Sequence, residues 1–165
     1  MILGMSTETY TLLHVIISVV AIGSGLIVMY GFLGGKRWDG LNAIFLITTV
    51  LTSVSGFGFP FEHLKPSHKV GMISLVVLAV AILARYVFHM AGSWRKIYVI
   101  SSAIALYLNV FVLVVQSFLK QPALHALAPE GKEPPFLIAQ IILMIVFVIW
   151  TIFTVKKFHP ELARP

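Results

Sequence analysis

The sequence predicts an all-α integral membrane bundle: five transmembrane helices in one domain, with the N-terminus outside and the C-terminus in the cytoplasm. Three observations carry that expectation. Of 165 residues, 59% are hydrophobic and 11% charged, with a mean hydropathy of +0.98, whereas a soluble domain carries about 25% charged residues. The apolar residues fall into five runs, each close to the ~20 residues a bilayer crossing requires. The basic residues divide unequally between the two sides that five crossings create, four against eight. The net charge of +6 is scattered in ones and twos between apolar runs. That pattern fixes membrane orientation and gives no support to nucleic-acid binding.

The first nine residues hold Glu8 but no Lys or Arg, so no secretory signal is expected and the first run, Tyr10 to Leu33, is read as a span. On it His14, Ser18, Ala21 and Gly25 recur at spacings of 4, 3 and 4, which places them on one face. Small residues there allow a neighbouring helix to come close, so His14 is expected to point into the bundle. Gly34 to Gly40 reads as a tight polar turn. The second span, Leu41 to Phe59, has Thr48, Thr52 and Ser55 as its polar face and ends among glycines and Pro60.

Pro60 to Lys69 is the most polar stretch between two long apolar runs and carries Glu62, His63 and His68. Ser67 is the expected N-cap of a third span from His68 to His89. Arg85 and His89 near its end are expected to snorkel towards head groups. Ser93 is the expected cap of the fourth span, Ile97 to Leu119, on which Ser102, Ala105, Asn109 and Gln116 form a stripe. The longest loop, Lys120 to Pro135, holds His125, Glu130 and Glu133. Its closing Pro134-Pro135 suits the first turn of a fifth span, Phe136 to Val155. That span is almost unbroken Ile, Leu, Val and Phe, and belongs at the bundle edge.

The side with fewer cations is the outer one, by the positive-inside rule. Trp38, Trp94 and Tyr98 would then mark the cytoplasmic interface. Glu8, His14, Glu62, His63, His68, His125, Glu130 and Glu133 all fall on the outer side, four of six histidines and four of six acids. Three chemistries would use them. Haem b needs imidazoles at matched depth in an apolar slot, for which His14 with His68 is the expected axial pair and His63 a substitute. A metal ion would draw on Glu62, His63, His68 and His125. A quinone needs hydrogen-bonding groups at its carbonyls, which His14, Gln116 or Gln140 would supply, with Asn109 further along the same stripe. The chain has no Cys, which removes thiolate zinc sites, iron–sulfur clusters and c-type haem. No nucleophile–base pair is evident, so a non-enzymatic role is expected. It is either an electron-transfer component or a structural or accessory subunit of a larger complex or homo-oligomer; a metal-handling or assembly protein is the third reading.

Three short stretches resemble a family of small, uncharacterised bacterial membrane proteins. They are Pro66-Ser67-His68-Lys69-Val70-Gly71, the Leu106-Tyr107-Leu108-Asn109-Val110-Phe111 run, and Glu133-Pro134-Pro135-Phe136. That resemblance implies a bacterial inner-membrane location and no particular activity. More loosely, His68 and Gly71 are similar to the His-x-x-Gly that opens a helix in transmembrane cytochromes b, which implies a ligand and a close-packing position. The second histidine pair of a di-haem cytochrome is lacking, so that resemblance implies one haem at most.

Overall fold

Six α-helices and one π turn make up the fold in a computed structural model that describes residues 1–60 and 66–159. Five of the helices are long and apolar enough to cross a membrane. The chain is therefore an integral, multi-pass membrane protein, because in lipid every backbone N–H and C=O must be bonded within the segment. Helix α1 spans Thr7–Leu33. The Ser6 hydroxyl caps it by accepting the Thr9 N–H at 3.1 Å, and Glu8 in its first turn favours the positive end of the helix dipole. At its far end the N–H groups of Gly34, Gly35 and Lys36 close onto the carbonyls of Gly31 and Phe32, with Gly35 in the left-handed region at φ 68°.

Helix α2 runs Asp39–Gly56, beginning two residues before the expected start and ending three before the expected end. Just beyond this early end α1 and α2 touch closely. Tyr10 of α1 lies over Gly58, where a Cβ would land on its hydroxyl, and the same hydroxyl donates to the Ser55 carbonyl at 2.7 Å. Helix α3, Pro66–Ile82, continues into the π turn Leu83–Val87. Pro66 and Ser67 are already helical, so the helix starts before the expected Ser67 cap. After the π turn, His89 and Met90 take positive φ of 48° and 57° and reverse the chain.

Helix α4 is Trp94–Lys120; Ser93 precedes it without making a side-chain cap. The expected loop contains a short helix, α5, over Pro122–Leu127 with its proline at the start. Helix α6, Pro134–Lys157, opens on both prolines, as expected of residues whose missing N–H costs nothing in a first turn.

Helix α4 is central, packing against α1, α2, α3, α5 and α6, while α2 lies chiefly on α1 and α3, and α6 on α4 and the edge of α1. The predicted α1 face is the packed one. A Cβ on Gly25 would come within 2.7 Å of Phe45 on α2 and Leu106 on α4, so only glycine permits that three-helix contact. The polar face of α2 differs from the expected one. Asn42, Thr49 and Ser53 are buried, at spacings of 7 and 4, whereas Thr48, Thr52 and Ser55 are only partly covered. Burial is uneven along the bundle: 44% of the α4 span is buried but only 11% of the α6 span. The edge position expected of the last span is the observed one.

Candidate functional site

The N-terminal end of the bundle, where α1 and α3 begin and α2 and α4 end, gathers most residues singled out from the sequence. His14 lies half-buried on α1, and its Nδ1 pairs with the Ser55 hydroxyl of α2 at 2.7 Å. Phe59 places its ring edge-on to both His14 (centroids 5.2 Å) and Tyr10 (5.1 Å). His68 sits in the first turn of α3, 4% exposed, tilted against Phe57 at 5.6 Å between centroids. A Cβ on Gly71, one turn on, would come within 3.2 Å of the Phe57 ring, so Gly71 is a close-packing position. Ser55 and Phe59 take one imidazole and Phe57 takes the other.

The amides are spread along α4 and α6. Asn109 Nδ2 reaches the Thr49 hydroxyl of α2 at 3.5 Å. Gln140 on α6 donates from Nε2 to the Phe111 carbonyl of α4 at 3.3 Å, while its Oε1 is buried without a partner. Gln116 is partly buried, one turn before the exposed Lys120 on α4.

Of the four residues expected to bind metal, Glu62 and His63 lie outside the described residues. His125 is exposed on α5, which packs on α4, and His68 is buried on α3. Among the described residues, no three His, Asp or Glu side chains are grouped to hold an ion. In the loop before α6, the Glu133 carboxylate accepts the backbone N–H groups of Glu130 at 3.0 Å and Lys132 at 2.9 Å. These bonds, the Glu130 one foremost, hold its pKa below the ordinary carboxylate value.

The opposite end holds a cluster that the sequence reading missed. Arg85 was expected to snorkel outwards. Instead its side chain, 2% exposed, turns into the bundle and pairs with Asp39 in the first turn of α2. Asp39 also meets Arg37 at 3.4 Å, and the Arg85 guanidinium lies over the Tyr98 ring at 5.1 Å. Tyr98, expected at the interface, is fully buried and donates to the Asn42 Oδ1 across the α2–α4 contact. The Asn42 Nδ2 and Ser102 Oγ beside it have no hydrogen-bond partner.

Arg85 continues the buried stripe of Ser74, Leu78 and Ala81 at spacings of 4, 3 and 4, within a π turn of the kind often found at functional sites. A groove of about 420 Å³ lined by Ile27, Trp38, Asp39, Gly40 and Leu41 opens beside the carboxylate. The available signal was topological. Asp39 and Arg85 stand at the same end of consecutive antiparallel spans, one carboxylate and one cation that lipid would force together.

No family model, curated protein or solved structure matches the chain.

Proposed function

We propose that this membrane protein is a non-catalytic structural or accessory subunit of a larger membrane assembly. One observation carries the reading: polar groups that could have served as ligands are engaged in fastening helices. His14 joins α1 to α2, Asn109 joins α4 to α2, Gln140 joins α6 to α4, and Arg85 joins the π turn to α2. A bundle so fastened still leaves α6 largely uncovered. Its Leu137, Ile141, Ile145, Val148 and Ile152, about half exposed, form one apolar face for a partner helix. The four-to-eight division of basic residues supports an orientation with the N-terminus outside. The resemblance noted above supports a bacterial inner membrane.

The chain contains no cysteine, which makes the test direct. Single cysteines at Ile141 and Ile152, cross-linked in native membranes, should trap a defined larger species. The same protein should run above its monomer mass after mild solubilisation. A monomer that cross-links to nothing at either position would remove this reading.

A second reading has its own support: the unpartnered Gln140 Oε1 on α6, with the partly buried His14 and Gln116, offers donors and an acceptor suited to a quinone head group. Lipid extracts of the purified protein should then contain quinone at near-stoichiometric amounts, reduced in His14→Ala and Gln116→Leu. An oxidised-minus-reduced visible spectrum with split haem bands would instead support haem b on His14 or His68. A flat spectrum and quinone-free extracts would leave the accessory role alone.

A further inference from the structure

A groove between α6 and the end of α1 is lined by Leu33, Val146, Ile149, Trp150, Phe153 and Lys157, with a volume of about 340 Å³. The five α6 residues are spaced 3, 1, 3 and 4 apart, so they make one stripe. At 1.5 Å per residue, Val146 to Lys157 covers about 16 Å. That is close to half of a hydrocarbon core about 30 Å thick. The stripe therefore runs from the membrane surface at Lys157 to near the midplane at Val146, the reach of one acyl chain. It is a separate stripe, about a third of a turn round α6 from the Ile141, Ile145, Val148 and Ile152 surface offered to a protein partner.

Lys157 is the one charged residue of the lining, and among the described residues no carboxylate lies within ion-pair distance of it. Lys156 is its neighbour, and Lys36 follows Leu33 by three residues. The carbonyl end of α6, which would repel an anion, is already neutralised. Arg95 is buried there and donates to the Phe158 carbonyl, with a second, 3.5 Å contact to Val155. Phe158, itself buried, packs on Phe32 of α1 at 4.4 Å between centroids and fixes the mouth of the groove.

We propose that this groove is a binding site for an anionic phospholipid, with one acyl chain along the α6 stripe and the head-group phosphate at Lys157. The chemistry is that of its lining: a chain-length apolar trough ending in an unpaired ammonium.

The test is native mass spectrometry of the detergent-purified full chain, loaded with equimolar phosphatidylglycerol and phosphatidylcholine of matched chains. Phosphatidylglycerol should be retained with a preference of roughly fivefold, the effect of one surface lysine on an anionic lipid. Lys157→Gln, an exposed position, should bring that preference close to unity. Ile149→Trp, at a half-exposed position, should fill the trough and release both lipids. Lys132→Gln, at the other end of the bundle, should change nothing. Equal retention of the two lipids by the unaltered protein would overturn the proposal. So would an unchanged preference in Lys157→Gln, or a dimer without lipid that Ile149→Trp dissociates, because a second copy would then occupy the groove.

Discussion

The two ends of the bundle solve the same problem in opposite ways. At the N-terminal end, α1, α2 and α3 meet through hydrogen bonds and ring contacts: an imidazole on a hydroxyl, a phenol on a carbonyl, one ring pair edge to face and another tilted. At the other end they meet through charge, with a guanidinium inside the bundle and its carboxylate at the rim. A neutral histidine needs only a hydrogen bond to be tolerated near lipid, whereas an ionised arginine needs its counter-ion within contact distance. Unusual backbone also concentrates at the charged end. Of the four described non-glycine residues with positive φ, Trp38, His89 and Met90 are at this end. Each costs of order 1–3 kcal/mol and persists because the surrounding contacts demand it.

That contrast can be broken most severely at Asp39. Asp39→Ala strands Arg85, and removing one partner of a fully buried pair costs about 3–5 kcal/mol. Asp39 itself is largely exposed, so water should offset part of this, and the loss should fall near the lower bound. Asp39→Ala combined with Arg85→Met should recover most of the stability, read as the midpoint of unfolding in mild detergent. A double variant as weak as the single one would mean that the ion pair is not what holds this end.

Next is Tyr98→Phe, which leaves the Asn42 amide without its one partner inside the bundle and should cost about 1–3 kcal/mol in the same assay. At the neutral end, His14→Ala removes one inter-helix hydrogen bond. It should cost on the order of 0.6 kcal/mol and no more than about 1.7 kcal/mol, the measured range for such bonds in lipid. A His14 effect larger than the Asp39 effect would invert the comparison.

The smallest effect concerns Glu133, outside the membrane. Its folded pKa is lowered, so its bonds to Glu130 and Lys132 contribute in full at neutral pH and begin to fade as pH falls below the ordinary 4.5. They are gone below the lowered folded value. Amide exchange at Glu130 and Lys132 should quicken over that window and not in Glu133→Gln, where it should already be fast at neutral pH.

Legibility followed the physics of each signal. The five spans were readable because twenty apolar residues in succession have few alternatives to crossing lipid. The packed face of α1 was readable because Gly25, Ala21 and Ser18 mark close approach, and Pro134-Pro135 announced the start of α6. The candidate site was only partly readable. His14 was correctly aimed into the bundle, yet its bond to Ser55 depends on how α2 sits against α1, which no local pattern shows. Arg85 was misread because an arginine near a helix end ordinarily reaches for head groups, whereas it lies on the buried face of Ser74, Leu78 and Ala81 and finds Asp39 there.

By itself, then, the sequence determined the environment, the number of crossings and the faces that small residues mark for contact. Those follow from transfer free energies and helical periodicity, which act locally along the chain. Only the tertiary structure decided which polar groups meet: His14 with Ser55, Arg85 with Asp39, Tyr98 with Asn42. These pairs lie 41 to 56 residues apart in the chain. Their partners are fixed by where helices end and how closely they approach, properties that emerge only when all five spans pack together.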